Sequence, residues 1–399
     1  MEIKMISSNF QKMACRRVYL LVLFLGLNCI AVAASNACPR DEFESDQVSD
    51  KFTKCQCDGP PLRRTKITCT DQHFNGNDSR QMLNSLSNSA HLLDSLEELH
   101  FNGNDMEYLP PNVIGNSKLG VFWELDVLDL SRNNISAISG KSFHATPDLQ
   151  ALILDDNEWY VTDRAPRIFS SFFELKTLSL NNAFSSSPDT KTDIQVSTLT
   201  DVFEGSEMYW LEYLYLERNK LVEVHESIFQ SLPSLRFLSL ANNMIVSVHN
   251  IWNSSCHEKT YYTDMYKERC LLETLDLSSN RINVIPMALI NELQLMKSFK
   301  SLNISDNPLN CDCNMAPFIL WLQQNESNSA KIHQVHSLEC KYPSHLKGKC
   351  IGILFSRYMY NISTTSIGLS NMTVLEYKQI NISYFFVNQV GQIFISTAC

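Results

Sequence analysis

The sequence predicts an α/β solenoid: a curved parallel β-sheet on the concave face, an irregular convex side with short helices, and a disulfide-bonded cap at each end. Three observations predict it. A leucine-rich string recurs eight times, cysteines cluster at both ends of the repeated segment, and apolar residues are plentiful enough for a continuous core. The 399 residues are 44% hydrophobic and 10% aromatic, which places the chain among folded rather than low-complexity sequences.

The first element is a leader. Lys12, Arg16 and Arg17 precede an apolar run from Val18 to Val32, and the small residues Ala31, Ala33 and Ala34 follow. That is the layout of a secretory signal peptide, residues 1–34, cut near Ala33 or Ala34. The leader holds four bases and one acid, so its removal changes the formal charge from −10 to −13. An acidic chain of this kind does not bind nucleic acid, and the charge by itself specifies no partner.

Residues 76–309 hold the repeats. Their string, L-x-x-L-x-L-x-x-N-x-L, is that of a leucine-rich repeat. Copies begin at Leu96, Leu125, Leu149, Leu175, Leu211, Leu235, Leu272 and Phe299. In L-x-L a strand alternates its faces, so Leu128 and Leu130, or Leu238 and Leu240, enter the core and the residues between them face outwards. One repeat cannot bury that stripe alone, so neighbours stack. Asn104, Asn133, Asn157, Asn219, Asn243, Asn280 and Asn307 recur at one position, where a buried amide both donates and accepts at the turn. Ala183 breaks this series in the fourth copy.

Most copies are 24 to 29 residues apart, but two intervals of 36 and 37 residues mark insertions near 183–199 and 250–270. The first is polar and turn-forming, which predicts a protruding loop. The second carries Cys256 and Cys270, close enough for one bridge to close the loop.

Solenoid ends need caps, because a terminal repeat otherwise exposes its apolar face. Cys38, Cys55, Cys57 and Cys69 fall in an N-terminal cap, residues 35–75, and Cys311, Cys313, Cys340 and Cys350 in a C-terminal cap, residues 310–350. Disulfides are the expected chemistry for an exported chain, whereas C-Q-C and C-D-C are poor zinc spacings. No metal and no cofactor is expected. After Cys313, the run NMAPFILWLQQ reads as a short amphipathic helix whose Phe318, Leu320, Trp321 and Leu322 cover the last repeat. Cys399 has no partner by this count.

Residues 351–399 form a tail in which no run is long and apolar enough to span a bilayer. N-glycosylation sequons stand at Asn77, Asn134, Asn253, Asn303, Asn325, Asn361, Asn371 and Asn381, as expected of a secreted or cell-surface glycoprotein.

The cysteine-flanked repeats resemble the extracellular leucine-rich-repeat superfamily. Within it, NELQLMKSFKSLNISDNPLNCDCNMAPFILWL, followed by Cys340-Lys341-Tyr342-Pro343, is similar to the end of the trophoblast glycoprotein family. The resemblance implies a first-to-third, second-to-fourth bridge order in each cap: Cys38 with Cys57, Cys55 with Cys69, Cys311 with Cys340, and Cys313 with Cys350. It implies Tyr342 as a contact residue, and a role in inhibiting Wnt signalling and in adhesion. The chain departs from that family in its short Cys340 to Cys350 interval, its wide Cys38 to Cys55 interval and the lack of a membrane helix.

No H-E-x-x-H, G-x-S-x-G, P-loop or paired Cys/His signature occurs, so the chain reads as a binding protein rather than an enzyme. The expected partner is an extracellular protein ligand or receptor. Most outward-facing strand residues are small or charged, such as Asp129, Ser179 and Asp276. The fifth and sixth copies differ. Tyr213 and Tyr215 share one strand and Phe237 follows on the next, with Glu212 and Arg236 alongside as a polar rim, and this cluster is the candidate binding surface. The same rings would also stabilise the sheet merely by packing together. Two other functions fit the repeats: a secreted matrix-organising protein, and an innate-immune ligand-binding ectodomain, although a Toll-like receptor would also need a membrane span and a signalling domain.

Overall fold

A computed structural model describes residues 37–43, 46–114, 120–159, 168–184, 199, 202–203, 206, 208–224, 232–248, 271–315, 318–319, 321–322, 331–333, 338–349, 351, 384–387 and 393–396. The leader, the loop at 185–198, the Cys256 and Cys270 pair, the Cys313 side chain with Cys350, Leu320, Cys399, and the sequons at Asn253, Asn325, Asn361, Asn371 and Asn381 lie outside the described residues.

The chain opens with helix α1 (Asp46–Phe52) and an antiparallel hairpin of β1 (Gln56–Asp58) and β2 (Lys66–Thr68). Disulfides Cys38–Cys57 and Cys55–Cys69 pin this cap. Inside it, Phe43 stacks on Phe52 with centroids 3.9 Å apart. Arg64 donates to both carboxylate oxygens of Glu42 at 2.8 Å, and this two-point geometry, together with a bond to the Gly59 carbonyl, makes the buried pair tolerable. Gly59 itself turns the hairpin at φ 95°, where a Cβ would stand 2.7 Å from the Arg63 carbonyl oxygen.

Strand β2 is also the first strand of a parallel sheet, which the cysteine spacing of the cap does not announce. It continues through β3 (Glu98–His100), β5 (Val127–Asp129), β7 (Ala151–Ile153), β8 (Thr177–Ser179), β9 (Tyr213–Tyr215), β10 (Phe237–Ser239), β11 (Thr274–Asp276) and β12 (Ser301–Asn303). The register holds throughout: Ile67, Leu99, Leu128, Leu152, Leu178, Leu214, Leu238, Leu275 and Leu302 pair side by side and are fully buried. Each stacked leucine stabilises the fold by roughly 1.5–3 kcal/mol, so a slip of one residue would turn the whole column to water.

Beyond the strands the repeats are joined by their asparagines. Asn104 and Asn133 each donate a backbone N–H to the side-chain oxygen of the next rung, Asn133 and Asn157 respectively, and Asn219 does the same to Asn243. The side-chain amides return to carbonyls of the preceding repeat, as Asn133 to Phe101 and Asn219 to Leu180. At the residue before these rungs the backbone is left-handed, at Arg132, Asp156, Asn182, Arg218, Asn242, Ser279 and Asp306. That conformation is unfavourable for side-chain-bearing residues, and Asn and Asp bear it best. Ala183 occupies the rung position in the fourth repeat. Its N–H still donates to Asn219, but it offers nothing back to Asn157.

The convex side carries helices α2 (Gly76–Leu86), α3 (Ala90–Leu93) and α4 (Met287–Leu295), and a two-residue parallel pair, β4 (Tyr108–Leu109) with β6 (Ala137–Ile138). The Asn75 side chain caps α2 by accepting from the N–H groups of Asn77 and Asp78. At the far end, Cys311–Cys340 closes the second cap, and Phe318, Trp321 and Leu322 are buried over the last repeat with Phe318 stacked on Trp321. Tyr384–Val387 and Ile393–Ser396 form an antiparallel pair, β13 and β14. Among the described residues no helix is long and apolar enough to cross a membrane.

Replacing Asn219 by Ala would orphan the buried N–H groups of Ala183 and Phe184 and the Leu180 carbonyl. The expected loss is about 3 kcal/mol, read as a lower urea midpoint. An unchanged midpoint would show that the rungs carry no stability.

Candidate functional site

Parallel register builds the concave face, because the residue before each core leucine lines up with its counterparts in neighbouring repeats. Tyr213 pairs with Phe237 and with Thr177 in this way, and Tyr215 pairs with Ser179 and Ser239. On the outer side of β9 and β10 three rings therefore meet. Phe237 lies 5.0 Å from the Tyr215 ring and 6.4 Å from that of Tyr213, both tilted. Tyr213 is 39% exposed, while Tyr215 and Phe237 are half-buried. Burial pushes the Tyr215 phenol above its ordinary range, and the neighbouring Tyr213 and Glu217 push the same way. Small neighbours at Thr177, Ser179 and Ser239 leave the cluster standing above the sheet around it.

Its border is a row of charges at the residue just before each of the strands β9 to β12. Arg236 contacts Glu212 at 3.4 Å and Glu273 at 2.8 Å, and Lys300 donates to Glu273 at 2.5 Å. The bonds from Lys300 and then Arg236 hold the Glu273 carboxyl below its ordinary range. Between rings and charges lies a shallow depression of about 360 Å3, lined by Glu212, Tyr213, Arg236, Phe237, Glu273 and Thr274. Its chemistry suits recognition: aromatic faces for apolar groups or cations, with flanking ion-pair partners able to exchange for a ligand's charges. Among the described residues no cluster of side chains suited to hold a metal ion is present.

The structure corrects one expectation about this face. Asp129 and Ser179 are buried rather than outward and open. Both short side chains are engaged in hydrogen bonds with polar neighbours. Asp129 accepts from the backbone and hydroxyl of Ser131, and Ser179 donates to Asp155 at 2.7 Å. Asn303, the sequon on β12, is half-buried with its amide donating to Asp276 at 2.9 Å, whereas Asn77 and Asn134 are exposed. Tyr342, in the second cap, is exposed and remote in sequence from the aromatic cluster.

A second polar network was not visible in the sequence, because its members come from the N-terminal cap and two successive repeats. Lys66 on β2 donates to Glu98 on β3 at 2.7 Å. His100 bonds the same carboxylate at 3.1 Å and reaches Asp129 on β5 at 3.6 Å. Asp129 raises the His100 pKa against the opposing effect of burial, and Glu98 adds to the rise. Glu98 is held low by Lys66 and then His100. Burial works against ionisation of Asp129, but its bonds from His100 and Ser131 outweigh it, so its pKa is lowered.

Comparison with known proteins agrees with this architecture. Residues 201–257 and 271–293 match leucine-rich-repeat families. Trophoblast glycoprotein of Macaca fascicularis is 25% identical over 264 residues, covering 64% of this chain and 58% of that protein. Toll-like receptor 5 of Homo sapiens is 27% identical over 267 residues, covering 65% of this chain and 26% of the receptor. Lumican of Homo sapiens is 29% identical over 224 residues, covering 51% of this chain and 66% of lumican. The crystal structure of human trophoblast glycoprotein, also called Wnt-activated inhibitory factor 1, superposes with a TM-score of 0.59 at 22% identity, covering 75% of this chain and 94% of that one. The fold is thus a leucine-rich-repeat solenoid with disulfides near both ends. The chain spans about three fifths of that trophoblast glycoprotein's length and about a quarter of the receptor's.

The Lys66–Glu98–His100–Asp129 network makes stability depend on pH. A histidine pKa raised on folding contributes stability that is complete below its unfolded value near 6.5 and is lost as pH rises through the higher folded value. Melting temperature is expected to fall over that range, and His100→Gln to remove this part of the fall. Parallel pH profiles for the two proteins would exclude the network as the cause.

Proposed function

We propose that this chain is an extracellular leucine-rich-repeat glycoprotein that binds a protein ligand or receptor through the concave face at β9 and β10, and that it thereby inhibits Wnt signalling or alters cell adhesion. One observation carries the binding surface: Tyr213, Tyr215 and Phe237 stand together on a rigid sheet whose neighbouring positions are small and polar. Rings fixed by the sheet lose little freedom on binding, and aromatic residues in such settings dominate interface energies. Glu212 and Arg236 supply the polar rim. The disulfides at both ends suit an oxidising extracellular setting. The Wnt role rests on the likeness to trophoblast glycoprotein. A matrix-organising role is the second reading, favoured by the likeness to lumican, and it predicts collagen or glycosaminoglycan binding without an effect on Wnt output.

The test is a triple variant, Tyr213→Ser, Tyr215→Ser and Phe237→Ser, compared with the parent for binding to Wnt-responsive cells and in a Wnt reporter assay. The parent is expected to lower reporter output as soluble protein or when tethered to the membrane. The variant is expected to lose about 2 kcal/mol or more of cell-surface affinity, roughly thirtyfold, at nearly constant melting temperature. Reduced stability with unaltered binding would leave the rings a packing role only. An unchanged reporter with both soluble and tethered parent would remove the Wnt reading.

A further inference from the structure

The edge of the sheet where the strands begin has a separate pattern. All strands from β2 to β12 in the main sheet run parallel, so their starting ends lie along one edge. Three residues before the leucine that opens the second, fourth and fifth repeats, the side chain is core: Phe122, Phe172 and Met208 are buried. The next residue in these repeats is turned to water. Trp123 is 58% exposed, Phe173 68% and Tyr209 53%, and Trp210 beside Tyr209 is 61% exposed. Since the core position is already filled by the preceding residue, these four large side chains are surplus to packing.

The parallel register sets these positions in one row along the edge. Successive strands stand about 4.8 Å apart, which places Trp123 and Phe173 about 10 Å from one another, with Pro147 of the intervening repeat between them, and Tyr209 one strand further along. The N–H of Phe122 donates to the Ala145 carbonyl at 2.9 Å, so the segments before the strands are themselves joined. Apolar rows of this extent on an exposed edge mark interaction surfaces more often than isolated exposed side chains do.

Two further observations define the partner. Each aromatic or proline of repeats two to four is followed by an acid, giving Trp123-Glu124, Pro147-Asp148 and Phe173-Glu174. Among the described residues the side chains of these acids make no ion pair or hydrogen bond. Among the described residues the row therefore offers rings and carboxylates without an ion-pair partner, with no base at these positions. Secondly, between residues 78 and 252 the only sequon is Asn134. It follows its strand and so lies toward the opposite edge, leaving the aromatic edge free of glycan attachment sites.

We infer that this edge is a second docking surface, independent of the concave cluster, for a protein segment in which apolar side chains alternate with Lys or Arg. Apolar groups of that segment cover Trp123, Phe173, Tyr209 and Trp210. Its cations pair with Glu124, Asp148 and Glu174 and stack on the exposed indole faces, where cation–π attraction adds to the ion pairs. An acidic partner would meet like charge.

The test uses the whole secreted chain and three labelled peptides in fluorescence anisotropy: one of alternating Leu and Lys, one of alternating Leu and Glu, and one of alternating Ser and Lys. The Leu–Lys peptide is expected to bind at least tenfold more tightly than either control, and more weakly as salt is raised. Trp123→Ser with Phe173→Ser and Trp210→Ser should abolish that preference, and Glu124→Gln with Glu174→Gln should reduce it at least threefold. Because all these positions are exposed, melting temperature serves as the folding control. The concave-face triple serine variant should bind the Leu–Lys peptide as the parent does, which separates failure of this inference from failure of the concave site. Equal binding of the Leu–Glu peptide, or retention of binding by the edge variant, would overturn the inference. So would a concentration-dependent dimer in sedimentation that the edge variant abolishes, since the occupant would then be a second copy of the chain.

Discussion

The asparagine rungs are the constraint on which the rest of the molecule depends. A sheet of three-residue strands has few hydrogen bonds of its own, and the chain must turn sharply after every strand. At that turn backbone donors and acceptors are buried, and leaving them unpaired costs more than the paired bond is worth. One carboxamide solves the problem in both directions, since its oxygen accepts from one repeat while its nitrogen donates to carbonyls of another. Asn157 does so, taking N–H groups of Asn133 and Ile135 and returning bonds to Leu130 and Leu154. The left-handed residue ahead of the rung is tolerated because the rung fixes it.

From that fixed turn follows a fixed register, and from the register follows the make-up of the concave surface. Residues that share a place in the repeat become neighbours in space. Opposite charges on adjacent repeats thereby form the row Glu212, Arg236, Glu273 and Lys300, and aromatic residues on adjacent repeats form the concave cluster. The same logic operates at the strand-start edge, where core and solvent positions are consecutive in the chain. Exposed ion pairs of this sort add little to stability, and their alternation favours the observed register.

The repeat string, the two leucines of each strand, the asparagine column and the positions of Tyr213, Tyr215 and Phe237 were legible in the sequence because each is a periodic property. What escaped was of two kinds. Strands β1 and β2 are built from cap residues that lack the string, and they join the sheet through a hairpin whose bonds form with the first full repeat. The Lys66, Glu98, His100 and Asp129 network escaped because no interval along the chain distinguishes it from ordinary surface charge.

By itself the sequence determined that the chain is a repeating solenoid, which side of each strand is buried, and where the turns fall. These are consequences of local period, and local period is written directly in the order of residues. Tertiary structure decided how far each outward residue is exposed. Asp129 and Ser179 occupy outward positions yet are buried by hydrogen-bonding neighbours from the same or adjoining repeats, whereas Trp123 and Phe173 stand in water beside a filled core position. Exposure depends on what adjacent repeats place above a side chain, and that is settled only when the repeats are stacked.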